Sequence, residues 1–349
     1  MSTSLKKCFS ALLSLSILTS SIFSTVVRAE DYYSVINEQV SPYSAGYISV
    51  EGIEGGQITF DTSTGTITKA QSSITSANIP EEINGVTVKA ISNSVFSYCD
   101  GLTNATIPST ITYIGAGVFY NCDELESINV SEDNASYSSE DGILYNKEKS
   151  DIIKFPENKK GVYVIPETIT QITSELAYCF QITSIVIHSK FESVGYHPFY
   201  WCTGLESIIV DKNNPYFSSL DGVLYNKNQT SLIKVPEQKS GDYIIPDGVT
   251  SIEQIAFNGC SEITNIVIPD SVVTIKSSAF NMCSSLTKIF IPSSVGYIDT
   301  PMFTICENLS EIEVSEDNKN YSSSNGVLFN KDISELILFP NAHGEEYTI

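Results

Sequence analysis

The chain has 349 residues, of which 42% are hydrophobic, 10% aromatic and only 17% charged, so it buries a large core and is not globally disordered. The formal net charge of the chain is −22. Its first three charged residues, Lys6, Lys7 and Arg28, are basic and lie within residues 1–29, so the part after residue 29 carries a net charge of −25. Such an acidic surface repels phosphate backbones and anionic lipid, which excludes nucleic acid and membrane surfaces as partners.

The first predicted element is a secretory signal peptide over residues 1–29. Lys6 and Lys7 precede an apolar stretch at residues 9–27, and Ala29 is the small residue expected at a cleavage site. A membrane anchor is the alternative, but the stretch is interrupted by serines and is only marginally long enough to span a bilayer. We therefore expect a protein that is secreted or displayed on the cell surface, with no membrane insertion after signal removal.

Residues 30–78 form a predicted N-terminal extension, and a unit of 23 residues recurs after it. One copy reads LTKIFIPSSVGYI at 286–298 and FTIC at 303–306, and the frame also fits from Leu102 and Ile263. The Ile-x-Ile segment predicts a strand that the proline ends, Val-x-x-Ile a second short strand, and Phe-x-x-Cys a tight helical turn. Because one unit cannot bury its apolar face alone, the copies must stack into a solenoid.

Three of the units contain the same insertion, which lengthens the spacing to 35 residues. Its copies are YSSEDGILYNK at 137–147, FSSLDGVLYNK at 217–227 and YSSSNGVLFNK at 321–331, each followed by a second apolar run that ends in proline. An Asp-Gly or Asn-Gly pair before a β-rich run is typical of a hairpin turn. We expect each insertion to form a β-hairpin that projects from the main body.

The pattern L-x-x-I-x-I-P-x-x-V-x-x-I-x-x-x-A-F-x-x-C resembles the BspA-like class of leucine-rich repeats over residues 79–349. The resemblance implies a β-rich, right-handed superhelical solenoid with a β-rich cap at 47–78, and a function in adhesion or protein contact. The unit at 349 is interrupted, so we expect the array to be truncated mid-repeat there. Glu175, Leu176 and His188 depart from the pattern and predict a less regular coil.

No catalytic or metal site is legible in the sequence. Seven of the eight cysteines occupy one position in seven units, without Cys-x-x-Cys spacing, which predicts a column of buried free thiols. The three histidines form no ligand or nucleophile motif. The acidic segments 131–134 and 315–318 favour solvated turns over calcium sites. We therefore predict a protein that is not an enzyme and has no cofactor.

The candidate binding surface is the outward-facing column of the main sheet. Strand alternation directs outward the residue that lies between the two buried apolar residues of each Ile-x-Ile segment. In six consecutive units this outward residue is apolar, and in the units before and after them it is polar, as at Thr348. The six are Val164, Val186, Ile209, Ile244, Val267 and Phe290. An exposed apolar ridge is typical of a binding site, although β-branched residues also favour sheet positions for their own sake.

The ridge and the resemblance together predict an extracellular, non-catalytic adhesion or binding protein. Its partner would be an extracellular or cell-surface protein, with a glycan as the alternative. A second interpretation is a recognition or spacer module of a larger secreted enzyme or cell-wall-associated assembly, and a structural surface-layer role is a third.

Overall fold

The computed structural model describes residues 46–344 except Ser174, Tyr196 and Pro198. The predicted signal peptide and Thr348 lie outside the described residues. Within the described part the secondary structure consists of short strands and turns, without a helix. No helix there is long and apolar enough to cross a membrane.

The strands follow one another along the chain as β1 to β31. Those up to the first insertion are β1 Ile53–Glu54, β2 Ile58–Asp61, β3 Thr66–Ala70, β4 Ser76–Asn78, β5 Glu82–Ile83, β6 Val86–Thr87, β7 Ala90–Ile91, β8 Asn104–Ile107, β9 Tyr113–Ile114 and β10 Ser127–Val130. The next are β11 Tyr137–Glu140, β12 Ile143–Asn146, β13 Ile152–Lys154, β14 Gly161–Val164, β15 Gln171–Ile172, β16 Ile182–Ile187, β17 Ser193–Val194, β18 Ser207–Val210, β19 Phe217–Leu220, β20 Val223–Asn226 and β21 Ser231–Lys234. The last are β22 Ser240–Ile244, β23 Ser251–Ile252, β24 Glu262–Val267, β25 Thr274–Ile275, β26 Lys288–Ile291, β27 Tyr297–Ile298, β28 Glu311–Val314, β29 Tyr321–Ser324, β30 Val327–Asn330 and β31 Leu336–Leu338.

Residues 46–344 form a β-solenoid whose coils stack by parallel strand pairing. On the main face, β16 pairs with β18 so that Ile185 lies beside Ile208, its counterpart in the next coil. On the second face, β23, β25 and β27 form another parallel ladder. The cap is continuous with this arrangement, because β4 pairs in parallel with β8 and β3 with β7. The buried anchors of both ladders form the core.

The third face consists of turns. The prediction of a helical turn at Phe-x-x-Cys is wrong. The residue before each of the seven cysteines has a positive φ, as do Ser94 and Gly117 earlier in their turns. Residues with positive φ alternate with residues of ordinary φ, and this directs backbone N–H groups toward the next coil. Phe96 N donates to Val118 O at 2.9 Å, and Tyr98 N donates to Tyr120 O at 2.8 Å. Pairing between coils therefore replaces the hydrogen bonds within a segment that a helix requires.

The predicted column of free, buried cysteines is confirmed. All seven cysteines of the described residues are buried and unpaired. Several thiols donate to a carbonyl of the preceding coil, including Cys122 to Phe96 O at 3.0 Å and Cys306 to Phe280 O at 2.9 Å. A cysteine thus fills the space of a small apolar residue and also satisfies a buried carbonyl. Burial raises the pKa of Cys122 to about 12 and that of Cys260 to about 12.

This burial predicts slow thiol chemistry in the folded state. Because the thiolate is the nucleophile and burial disfavours it, we expect almost no reaction with Ellman's reagent at pH 8 in buffer, for the chain without residues 1–29. The same protein in 6 M guanidinium chloride is expected to expose all seven thiols. Rapid labelling of several thiols without denaturant, or the loss of thiols in pairs, would contradict a reduced buried column.

The expectation that the insertions project from the main body is wrong. In the first copy, Ile143, Leu144 and Tyr145 of β12 are all buried in the core. In the second copy, β21 pairs in parallel with β23, so the insertion joins the second-face ladder. The Asp-Gly turn closes against the main sheet: Gly142 has a φ of 76°, and a Cβ there would lie 2.8 Å from the Ser127 Cβ. The hairpins are therefore additional coils of the solenoid.

The first and second insertions interrupt the main sheet. Ile128 N donates to Gly142 O at 2.7 Å, so the hairpin turn covers the edge of β10 that would otherwise pair with the next main-face strand. Ile208 N donates to Gly222 O in the same way beside β18. In consequence β8 with β10, β14 with β16 and β18, and β22 with β24 belong to separate sheets.

A buried asparagine attaches each insertion to the coil before it. The Asn214 amide Nδ2 donates to His188 O at 2.9 Å and to Phe191 O at 2.8 Å, and its Oδ1 accepts from the backbone N–H groups of Tyr216 and Phe217. Asn134 and Asn318 make the equivalent four bonds in the other copies. The last residues of segments 131–134 and 315–318 thus serve as structural anchors, which agrees with turns rather than calcium sites.

A buried ion pair occupies the third face of the second insertion. Lys234 Nζ lies 3.4 Å from Glu237 Oε1 and donates to Asn258 O at 2.9 Å, and both side chains are almost fully buried. Burial raises the pKa of Glu237, although Lys234 opposes that shift. Lys154 and Glu157 form the same pair in the first copy. The third copy carries Leu338 and Asn341 at these two positions.

Candidate binding face on the main sheet

The six residues of the expected ridge all lie on main-face strands of the solenoid. Val164, Ile209, Ile244, Val267 and Phe290 are 43 to 69% exposed, and Val186 is half-buried. Their exposure follows from strand alternation, because the residues on either side of each one point into the core. Tyr163 and Ile165, for example, flank Val164 and are buried.

The structure places these residues in three groups. Val164, Val186 and Ile209 are direct register partners on β14, β16 and β18. Ile244 and Val267 are partners on β22 and β24, and Phe290 lies on β26 opposite Glu313 of β28. The second insertion separates the first group from the second, so the six side chains do not form one continuous hydrogen-bonded column.

A cleft opens on this face between β24 and β26. Among the described strands, these two neighbours lack the ladder pairing that joins β22 to β24 and β26 to β28. The cleft has a volume of about 380 Å³ and is lined by apolar Ile266, Val267 and Phe290 together with polar Thr264 and Lys288. The cleft therefore combines the exposed aromatic side chain of Phe290 with the facing edges of β24 and β26, which are not joined by a hydrogen-bonded ladder.

The main-face strands on both sides of the cleft carry an excess of acidic residues, which we call the acidic edge, although the charged residue that lines the cleft itself is Lys288. The four strands β22, β24, β26 and β28 carry the carboxylates of Asp242, Glu262, Glu311 and Glu313 and the single cation Lys288. Lys288 Nζ lies 2.5 Å from Glu313 Oε1 and 3.3 Å from Glu311 Oε2. Hydrogen bonding to Glu313, with a smaller contribution from Glu311, raises the pKa of Lys288. The cation is thus held over β28 beside the apolar side chains.

Among residues 46–344, apart from the three gaps, no three His, Cys, Asp or Glu side chains converge in a group that could hold a metal ion. His188 Nε2 is hydrogen-bonded to Ile169 O, and its Nδ1 accepts from Lys190 N, so this ring serves the turn that lacks a proline. The exposed side chains of the face are apolar, such as Ile244, uncharged and polar, such as Asn265, or charged, such as Lys288.

A model of the BspA type leucine-rich repeat region matches the sequence in six copies, over residues 63–164, 162–241 and 237–343. The chain belongs to the BspA-type leucine-rich repeat family. No curated protein sequence matches it. The resemblance noted from the repeat pattern is therefore confirmed.

Solved structures of bacterial leucine-rich repeat proteins are similar to this BspA-type chain. A leucine-rich repeat protein from Eubacterium ventriosum is 22% identical, covers 78% of this chain and 74% of its own, and has a TM-score of 0.50. A leucine-rich cell surface protein from Faecalibacterium prausnitzii is 24% identical, with 80% and 91% covered and a TM-score of 0.45. Pneumococcal vaccine antigen PcpA is 14% identical, with 79% and 83% covered and a TM-score of 0.41. These likenesses concern the fold.

Two features of the BspA-type main face were missed by sequence reasoning. The cleft depends on a local separation of two strands whose sequences follow the ordinary repeat, so no residue pattern predicts it. The Lys288, Glu311 and Glu313 cluster had a signal, because Lys288 and Glu311 lie 23 residues apart and hence side by side in a parallel ladder. Opposite charges at one repeat spacing would have predicted this pairing.

Proposed function

We propose that this protein acts outside the cell as a non-catalytic binding protein, and that the main face contacts an extracellular or cell-surface protein. The observation that supports the proposal is the apolar surface on both sides of the cleft, with Ile244 and Val267 on one side and Phe290 on the other. Exposed aromatic and aliphatic side chains next to a concave surface are typical of the anchors that dominate protein interfaces. The acidic edge would contribute orientation and association rate more than affinity.

Phe290 is the residue with the largest expected effect on this binding. We expect Phe290→Ala to weaken a complex with an extracellular protein about 30-fold, because truncation removes the aromatic anchor of the cleft. Surface plasmon resonance against a panel of purified matrix and cell-surface proteins first identifies the partner and then compares the variants. The thermal transition is expected to stay nearly unchanged, since the side chain is exposed.

Tyr297→Ala is the matched control, because Tyr297 is an equally exposed aromatic residue on β27 of the second face. It should bind as the unmodified protein does. Ile244→Asp places a charge in the same apolar group and should weaken the complex as well. If Phe290→Ala and Ile244→Asp both leave the affinity intact, the ridge is only sheet-favouring surface, and the site must be sought on the insertions.

A further inference from the structure

A line of aromatic side chains runs along the turn face of the solenoid. It consists of Tyr98, Tyr120, Tyr178, Tyr200 and Trp201, which we call the tyrosine strip. Each residue lies at one of the two positions between Phe and Cys in the Phe-x-x-Cys segment of its repeat; in the unit of Tyr178, Leu176 stands at the Phe position. The strip therefore lies on the third face, whereas the main-face ridge lies on the first.

The tyrosine rings of the strip make contact in two pairs, one on each side of the first insertion. The centroids of Tyr98 and Tyr120 are 5.7 Å apart with planes at 80°, and those of Tyr178 and Tyr200 are 6.0 Å apart with planes at 90°. Trp201 lies beside Tyr200 in the same coil, with the ring centroids 6.1 Å apart. Burial raises the pKa of the Tyr178 phenol, and the phenols of Tyr200 and Tyr120 raise it further.

The fold does not require aromatic residues at these positions. The later coils carry Asn258, Asn281, Met282, Thr304 and Ile305 there, and their turns pair from coil to coil in the same way. Tyr98, Tyr120 and Tyr178 remain 41 to 51% exposed, so packing does not account for them. Aromatic surface confined to the first four cysteine-bearing coils points to a contact made there.

The charge around the strip indicates which ligand fits. The four turn segments, 94–101, 116–124, 175–180 and 197–204, contain no lysine or arginine. The part of the first insertion at residues 150–161, which lies between the second and third of them, carries three lysines, and each is paired with a carboxylate: Lys154 with Glu157, Lys159 with Asp141 and Lys160 with Glu126. The turn segments contain Asp100, Asp123, Glu124 and Glu175, and the whole chain is strongly acidic. Nucleic acid bases also stack on aromatic strips, but their phosphates need a basic groove, which these segments do not provide. Partly exposed aromatic rings and carboxylates in the same turn segments instead suit cations, through cation–π contact and ion pairing.

We propose that the tyrosine strip is a second binding surface, and that it takes an extended basic segment of a partner protein whose arginine or lysine side chains lie over the rings. Each of the four coils contributes one or two aromatic rings, so an extended chain along the solenoid axis meets two rings before the first insertion and three after it. Each exposed cation–π contact is weak, and affinity accumulates over the contacts. This surface is independent of the main face and of any partner bound there.

Trp201 is the only tryptophan of the protein and reports on the strip directly. The probe is a nona-arginine peptide, titrated into the full chain at 50 mM and 200 mM salt while tryptophan fluorescence is followed. We expect saturable quenching that weakens at the higher salt. Tyr120→Leu with Tyr178→Leu should reduce the affinity about tenfold, whereas Tyr120→Phe with Tyr178→Phe should remain within twofold, because phenylalanine keeps the ring quadrupole and leucine does not.

Tyr113→Leu is the matched control, because Tyr113 is an exposed tyrosine on β9 of the second face. It should bind nona-arginine normally, and so should Phe290→Ala on the main face. Equal affinities for the leucine and phenylalanine double variants would overturn the proposal, because the peptide would then bind the acidic surface without the rings. Quenching by neutral xylan in place of nona-arginine would also overturn it, in favour of a glycan.

Discussion

Asn214→Ala is expected to lower the free energy of unfolding by about 3 kcal/mol or more. The substitution removes the partner of two buried carbonyls, His188 O and Phe191 O, and of two backbone N–H groups at the start of the second insertion. A buried polar group left without a partner costs about 1–3 kcal/mol, and Phe191 O and the two N–H groups lose theirs, whereas His188 O keeps the N–H of Phe191 at 3.3 Å. Water admitted to the space would recover part of this cost, so the expected value lies at the low end of the sum of the three penalties.

Guanidinium chloride unfolding followed by circular dichroism measures the change. Asn213→Ala is the matched control, because Asn213 is exposed and its side chain forms none of these bonds. It should alter the free energy of unfolding by less than about 0.5 kcal/mol. If Asn214→Ala were as stable as the control, the buried amide would not be what attaches the insertion to the preceding coil.

Glu237→Gln is expected to destabilise the protein by about 3–5 kcal/mol. Lys234 is 1% exposed, and the substitution leaves its ammonium group buried without a counter-charge. Glu237 also faces the backbone N–H groups of Cys202 and Trp201, so the carboxylate links the insertion to the coil before it. Glu167→Gln is the control, because Glu167 pairs with Lys190 at 2.7 Å in an exposed position, where ion pairs contribute at most about 1 kcal/mol.

The double variant Lys234→Leu with Glu237→Asn separates the loss of a pair from the loss of one charge. It introduces the residues that the third insertion carries as Leu338 and Asn341. We expect the double variant to be more stable than Glu237→Gln, because no lone charge remains in the core. A double variant that is less stable than Glu237→Gln would instead mean that the pair contributes more to stability than an apolar replacement.

The repeat pattern determined most of the fold. Because parallel strands of successive coils stack in register, residues one repeat apart must share a column, and this placed Cys122 in the core and Phe290 on the outer side of its strand. Alternation within a short strand is a local property, so the exposure of Ile244 between partly buried Tyr243 and buried Ile245 followed from three residues. The family followed from the same periodicity.

The tertiary structure alone decided how neighbouring coils meet. The Phe-x-x-Cys segment forms left-handed turns instead of a helical turn because its N–H groups pair with the next coil, a partner 22 residues away that no local pattern contains. The insertions pack into the solenoid because Asn214 and its counterparts find acceptors in the preceding coil, and the turns of the first two insertions then interrupt the main sheet. The cleft beside Phe290 and the contact between Tyr178 and Tyr200 likewise depend on the distance between neighbouring coils. The sequence determines which side chains face outward, whereas the packing of the coils determines how far apart these side chains lie.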